Sequence, residues 1–160
     1  MAESFVFSSA TKEKYEELLL YTRGLTMDEL DITANLANVS ALINLALEDI
    51  NWAGFYIMKE GQLVLGPFQG KPACIRINVG SGVCGTAVAE NKTQLVKNVH
   101  EFPGHIACDS ASNSEIVVPI HNKDGSVYGV LDIDSPSFER FTEEDKAGLE
   151  AVVKIIENIL

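Results

Sequence analysis

Three cysteines, Cys74, Cys84 and Cys108, carry the most reactive side chains in this chain. Cys108 falls in a polar stretch, three residues after His105 and just before Asp109-Ser-Ala-Ser-Asn-Ser114. A thiol acts as a nucleophile only when it is exposed and partly ionised, and cysteines in polar loops meet that condition more often than cysteines in strands. Cys74 follows Lys-Pro-Ala in an irregular segment, and Cys84 lies in the glycine-rich Gly80-Ser-Gly-Val-Cys-Gly85. Taken singly, each has a plainer reading as a small buried hydrophobe. Taken together, three cysteines in the irregular middle of the chain and none in its helical segments point to redox work. A zinc site built on His100, His105 and Cys108 is disfavoured, because their spacing matches no standard ligand pattern and no C-x-x-C pair is present.

Carboxylates and aromatics supply the surroundings. Asp132 and Asp134 alternate with Leu131 and Ile133 in Gly129-Val-Leu-Asp-Ile-Asp134. Strand side chains alternate between faces, so the two aspartates point the same way. Like charges held that close cost stability unless solvent or a cation offsets them, and a ligand ammonium would do so. Glu115 opens the neighbouring strand and can converge on the same place. A carboxyl among others has a raised pKa and can stay protonated as a proton donor. Trp52 and Tyr56, four apart in one strand, share a face. Sheet packing is the common role for such a pair, but a Trp also suits a thioether or sulfoxide methyl.

The elements that must position these groups read as follows. A helix is predicted over Thr11 to Arg23, with Gly24 as its C-terminal cap. A second begins at the capping-box pattern Thr26-Met-Asp-Glu29 and runs to about Ala46, apolar over a wide arc. Strands follow at Trp52 to Met58 and Gln62 to Phe68, joined by Lys-Glu-Gly. A short helix, Gly85 to Asn91, and a short strand, Gln94 to Lys97, come next. Asn98 to Ser114 reads as a long ordered loop of the kind that carries function. A hairpin over Glu115 to Ile120 and Val127 to Asp134 turns at Asn122-Lys-Asp-Gly125, and a last helix starts at Thr142. This order suits one α+β domain over residues 1–160, a central antiparallel sheet with helices packed mainly on one face.

Bulk properties narrow the function classes. At 160 residues the chain can bury roughly 68–70% of its unfolded surface without metal or disulfide staples. Its net charge of -11, from 23 acidic and 12 basic side chains, disfavours nucleic acid and anionic membranes as partners. The start, MAESFVFSSATKEKYEE, has no signal-peptide pattern. No run approaches the ~20 apolar residues of a membrane span. The expected location is cytoplasmic, where an odd cysteine count argues for working thiols and only transient disulfides.

Asn51-Trp-Ala-Gly-Phe-Tyr56, Gly66-Pro-Phe-Gln-Gly70, Pro72-Ala-Cys74, Gly80-Ser-Gly-Val-Cys-Gly85 and Val130-Leu-Asp-Ile-Asp-Ser135 together resemble the free methionine-(R)-sulfoxide reductases, which are stand-alone GAF-domain enzymes. The resemblance runs over nearly the whole chain. GAF domains that sense ligands share the fold but are not expected to carry this three-cysteine set. The resemblance implies a GAF-like fold and assigns Cys108 as the attacking nucleophile and Cys74 as the resolving thiol. Cys84 has a less defined part, that of an alternative resolver. It makes Glu115, Asp132 and Asp134 the acidic lining of the substrate pocket, and Trp52 and Tyr56 its aromatic wall. Backbone N–H groups around Ile106 to Cys108 are the expected partners of the substrate carboxylate. The implied chemistry runs through a sulfenic acid and an intramolecular disulfide that thioredoxin recycles, with no metal or organic cofactor. The R stereochemistry comes from the family alone. A GAF small-ligand sensor and a thiol redox sensor are the competing readings. The broadly apolar second helix fits either a homodimer or a core.

Overall fold

The computed structural model describes residues 4–105 and 108–160. Helices α1 (Thr11–Thr26) and α2 (Ile32–Ala46) lead into the hairpin of β1 (Trp52–Lys59) and β2 (Gln62–Gly70). Strand β3 (Arg76–Asn78), helix α3 (Gly82–Glu90), strand β4 (Gln94–Val96) and a single 3-10 turn (Val99–Glu101) fill the middle. Strands β5 (Ser114–His121) and β6 (Val127–Ser135) form the second hairpin, and α4 (Glu143–Asn158) closes the chain. The six strands make one antiparallel sheet in the order β3-β2-β1-β6-β5-β4. The central pairing of β1 with β6 joins the two hairpins.

The sheet separates two cores. On one face Ala53, Phe55, Ile116, Leu131 and Ile133 pack beneath α1, α2 and α4, which contribute Leu18, Leu36, Leu42, Leu149 and Val152. On the other face Trp52, Tyr56, Val117 and Val130 meet Val83, Cys84 and Ala87 of α3. One face therefore carries three helices, and the other is covered only in part, by α3 and irregular chain. That uncovered part is where a site can open. Core burial accounts for most of the apolar breadth of α2, whose Leu36, Val39, Leu42 and Ile43 are sealed, while Leu45 is exposed.

Local chemistry explains the boundaries that differ from expectation. α1 continues through Gly24 to Thr26, because Thr26 turns its hydroxyl back to donate to the Thr22 carbonyl at 2.8 Å. It is then unavailable as a cap for the next helix. Asp31 takes that role, accepting from the Ala34 N–H at 2.8 Å, so α2 starts six residues after Thr26. α3 starts at Gly82 rather than Gly85. β3 was not anticipated, since three residues with only Ile77 buried show no readable alternation. The β1–β2 turn requires positive φ at both Glu60 (53°) and Gly61 (81°), the backbone of a two-residue hairpin loop. Thr142 caps α4 through a reciprocal bond pair with Asp145. Asp145 also accepts from the Tyr15 hydroxyl at 2.7 Å, tying α4 to α1.

Candidate active site

Strand register gathers the polar groups on the face opposite the three-helix layer. Glu115 of β5 pairs with Asp134 of β6, and Val117 pairs with Asp132. Across the other side of β6, Trp52 of β1 lies opposite Asp134 and Gly54 opposite Asp132. Gly54 sits between Trp52 and Tyr56 on their shared face. A β-carbon there would collide with Cα and Cβ of Phe68. Phe68 itself stacks on Trp52 with centroids 5.1 Å apart, and Trp52 stacks on Tyr56 at 5.8 Å. The three rings form a continuous wall.

Two irregular segments close over this wall. The chain after β2 brings Lys71, Pro72 and Ala73, and the 98–113 loop brings His105, Cys108, Asp109 and Ser112. With Cys84 and the three carboxyls, these residues line one partly open cleft. Cys74 and Cys108 are joined by a disulfide across its mouth, with Cα atoms 5.5 Å apart and 34 residues between them in sequence. Strand β1 holds both segments. The Tyr56 hydroxyl donates to the Cys74 carbonyl at 2.9 Å, and the Trp52 indole N–H donates to the Lys71 carbonyl at 3.1 Å. Asn51 donates through Nδ2 to Asp109 Oδ2 and to Ser112 Oγ, each at 3.2 Å. The loop is further fastened by Asn113, whose N–H donates to the Ser135 carbonyl at 2.8 Å and whose Nδ2 donates to the Pro136 carbonyl at 2.7 Å.

Seven of the eight side chains singled out from the sequence line this one cleft, namely Trp52, Tyr56, Cys84, Cys108, Glu115, Asp132 and Asp134, and the eighth, Cys74, is joined to it through the disulfide to Cys108. Lys71 and Ser112, which also line the cleft, were not singled out, nor was Asn51, which holds Asp109 and Ser112 in place. Asn51 had only its place at the start of β1 to mark it, and its reach across 58 and 61 residues of sequence has no linear signature. The backbone stretch expected to hold a substrate carboxylate, Ile106 to Cys108, lies largely outside the described residues.

Burial governs the electrostatics. Glu115 is 8% exposed and Asp132 5%. Desolvation pushes the Glu115 carboxyl well above the usual range, and the nearby Asp132 and Asp134 charges push it further. Burial raises Asp132, opposed in part by hydrogen bonds from Glu115 and Cys84. Burial also raises Asp134 well up, helped by the Asp132 charge and opposed by bonds from Glu115 and Ser112. No ion pair to any of the three is present among the described residues. Asp132 Oδ1 and Asp134 Oδ1 are buried and lack a hydrogen-bond partner there. Such atoms call for a proton or a cation. Burial pushes the Cys84 thiol well above its ordinary value as well, with the Asp132 charge adding to it. Cys84 is therefore a sealed, protonated thiol, whereas Cys74 and Cys108 are half-buried at the mouth.

These raised values make stability pH-dependent. The folded chain holds carboxyl protons that the unfolded chain releases at its lower pKa. The associated stability is complete below the unfolded carboxylate range and is lost as pH rises through the raised folded values. The substrate-free protein is expected to melt at progressively lower temperature from about pH 4 upward. Glu115→Gln removes one of the three groups and should raise Tm at pH 8 by roughly 2–4 °C. Thermal unfolding followed across pH checks this, and a steeper decline in the variant than in the parent would contradict it.

Comparison with known proteins places the chain in a family. A GAF-domain family model matches residues 35–160. The free methionine-R-sulfoxide reductase of Escherichia coli (strain K12) is 55% identical over 148 residues, 92% of this chain and 89% of its own. The enzyme of that name from Saccharomyces cerevisiae is 49% identical over 158 residues, 93% of this chain and 87% of its own. The X-ray structure of free methionine-R-sulfoxide reductase from Neisseria meningitidis in complex with its substrate superposes with a TM-score of 0.93 at 42% identity, covering 99% of this chain and 95% of that one. The chain belongs to the GAF-domain family of free methionine-R-sulfoxide reductases.

Proposed function

We propose that this protein reduces free methionine-(R)-sulfoxide to methionine, with Cys108 as nucleophile, Cys74 as resolving thiol and Glu115 as proton donor. The observation that carries the reading is the Cys74–Cys108 pair set at the mouth of a cleft floored by the buried Glu115 and Asp132 and the half-buried Asp134. In the reduced protein the Cys108 thiolate attacks the sulfoxide sulfur. Protonated Glu115 delivers its proton to the oxygen as charge builds there. The sulfur–oxygen bond breaks, the hydroxyl passes to the Cys108 sulfur as its bond to the substrate sulfur opens, methionine leaves with the electron pair of that bond and Cys108 becomes a sulfenic acid. The Cys74 thiol then attacks that sulfur, water departs and the disulfide forms. The balance is one sulfoxide and two thiols consumed, with methionine, water and one disulfide produced. An external dithiol of the thioredoxin type reopens the disulfide by exchange. The cytoplasm, where such reductants are kept reduced, is the matching compartment.

The aromatic wall of Trp52, Tyr56 and Phe68 offers an apolar bed for the thioether end of the substrate. The unpartnered oxygens of Asp132 and Asp134 offer the complement of its α-ammonium. A peptide-bound sulfoxide lacks that charge and would leave buried acceptors unmatched, which is a strong basis for discrimination. Lys71, exposed at the rim, carries the positive charge a substrate carboxylate would meet. On this account Asp134→Asn weakens substrate binding by about 10- to 100-fold, the worth of a hydrogen bond to a charged group. Steady-state kinetics should show the loss mainly in KM; an unchanged KM would remove Asp134 from ammonium recognition.

The reading as a whole is tested by coupling the protein to thioredoxin, thioredoxin reductase and NADPH. Free R-sulfoxide, free S-sulfoxide and a peptide-bound sulfoxide are supplied in turn. NADPH is expected to be consumed with the free R form alone. Binding of the free form without turnover would favour a ligand sensor instead.

A further inference from the structure

The sealed thiol Cys84 has no part in the reaction just described, yet it faces the carboxyl floor. Its Sγ, one oxygen of Glu115 and one oxygen of Asp132 all lie within 4.8 Å of one another. We propose that this cleft, when no sulfoxide fills it, binds one borderline-soft divalent cation of the Zn²⁺ class through Cys84, Glu115 and Asp132, with Asp134 adjoining.

Several independent features converge on a cation. Zn–S and Zn–O bonds of about 2.3 and 2.0 Å place tetrahedral ligand atoms roughly 3.3–3.7 Å apart, so a small contraction of the three side chains meets the requirement. Each ligand comes from a different element: Cys84 from α3, Glu115 from β5 and Asp132 from β6. The donor set is thus built on helix and strand rather than on mobile loop. Asp132 Oδ1 and, outside this trio, Asp134 Oδ1 are buried oxygens without a partner among the described residues.

The donor types choose among cations. Oxygen-only floors suit Mg²⁺ and Ca²⁺, whereas one thiolate among carboxylates favours Zn²⁺, Co²⁺ or Cd²⁺. Binding expels the Cys84 proton and any proton on the carboxyls, so affinity rises with pH. No oxidation or reduction is involved. A cation held this way ties up Glu115, the proposed proton donor, and occupies the floor. The protein would then be inhibited by zinc in competition with sulfoxide. That consequence rests on the reading of the cleft as the sulfoxide site, whereas the binding itself rests on the ligand geometry alone.

The disulfide form of the full chain separates these claims, because Cys74 and Cys108 cannot ligate there and Cys84 is the free thiol. Co²⁺ alone is titrated into this form at pH 8. A thiolate-to-cobalt charge-transfer band is expected, saturating at one ion per chain. It should be absent in Cys84→Ser, and in Asp132→Asn its midpoint should move to about tenfold higher cobalt or beyond. In Cys74→Ser/Cys108→Ser, where the mouth is open and no turnover occurs, free methionine sulfoxide should displace the band. Absence of the band from the parent protein, or its persistence in Cys84→Ser, overturns the metal site. An unmoved midpoint in Asp132→Asn removes Asp132 from the ligand set. A band that survives saturating sulfoxide keeps the metal site and overturns its overlap with substrate.

Discussion

Cys108→Ser is expected to abolish methionine release even in a single turnover, a loss of at least about a thousandfold, because a serine hydroxyl is un-ionised at neutral pH and a far weaker nucleophile than a thiolate. Cys74→Ser should behave differently. Its first turnover should proceed at near the parental rate and yield one methionine per chain, leaving Cys108 as a sulfenic acid that a dimedone-type reagent can trap. Its steady-state rate with thioredoxin should collapse, since no intramolecular disulfide is offered for exchange. The contrast follows from placement: both cysteines sit half-buried at the mouth and within disulfide reach, while Cys84 is sealed beneath them. Cys84→Ser should therefore keep the Cys74–Cys108 disulfide as its oxidised product. If Cys74→Ser lost the first turnover as well, the assignment of Cys74 as a purely resolving thiol would be wrong. Rapid-quench measurement of methionine with the two variants side by side decides the matter.

Glu115→Gln is the second large effect. General-acid catalysis is worth about 10²–10⁴-fold, and kcat/KM should fall within that range. The pH profile gives the role its signature. Glu115 must be protonated to act, and burial together with Asp132 and Asp134 holds its pKa well above the ordinary carboxyl value. Parental activity is thus full below that raised pKa and declines as pH climbs through it. The glutamine variant should lack this alkaline decline while keeping the limb set by ionisation of the Cys108 thiol. A glutamine variant with parental kcat/KM and an unaltered profile would assign proton delivery to another group of the cleft.

Much of the site was legible because strand geometry is periodic. The i, i+2 spacing of Asp132 and Asp134 and the i, i+4 spacing of Trp52 and Tyr56 each put both side chains on one face, and antiparallel register then brings Glu115 opposite Asp134. Hairpin turns and the Thr142 cap carry local signals of the same strength. Contacts without local periodicity escaped. The depth of Cys84 depends on how α3 seats against β5 and β6, which its glycine-rich surroundings do not encode. The bonds from Asn51 to Asp109 and Ser112 span 58 and 61 residues of the chain. Thr26-Met-Asp-Glu29 misled because Thr26 found a carbonyl one turn back in α1, a competing bond that a capping pattern cannot exclude. The pairing of Cys74 with Cys108 came from family resemblance, since three cysteines alone leave every pairing open. The trio of Cys84, Glu115 and Asp132 is spread over α3, β5 and β6 and has no ligand spacing to read.

The central claim is that two thiols of one chain reduce one sulfoxide, and it needs no partner protein to be tested. Fully reduced protein, freed of external reductant, is mixed with excess free methionine-(R)-sulfoxide, and methionine and remaining thiols are counted. One methionine formed and two thiols lost per chain, with Cys74 and Cys108 linked in the peptide map and Cys84 still free, is the predicted result. No methionine formed, or methionine formed while Cys74 and Cys108 both remain thiols, would contradict the account.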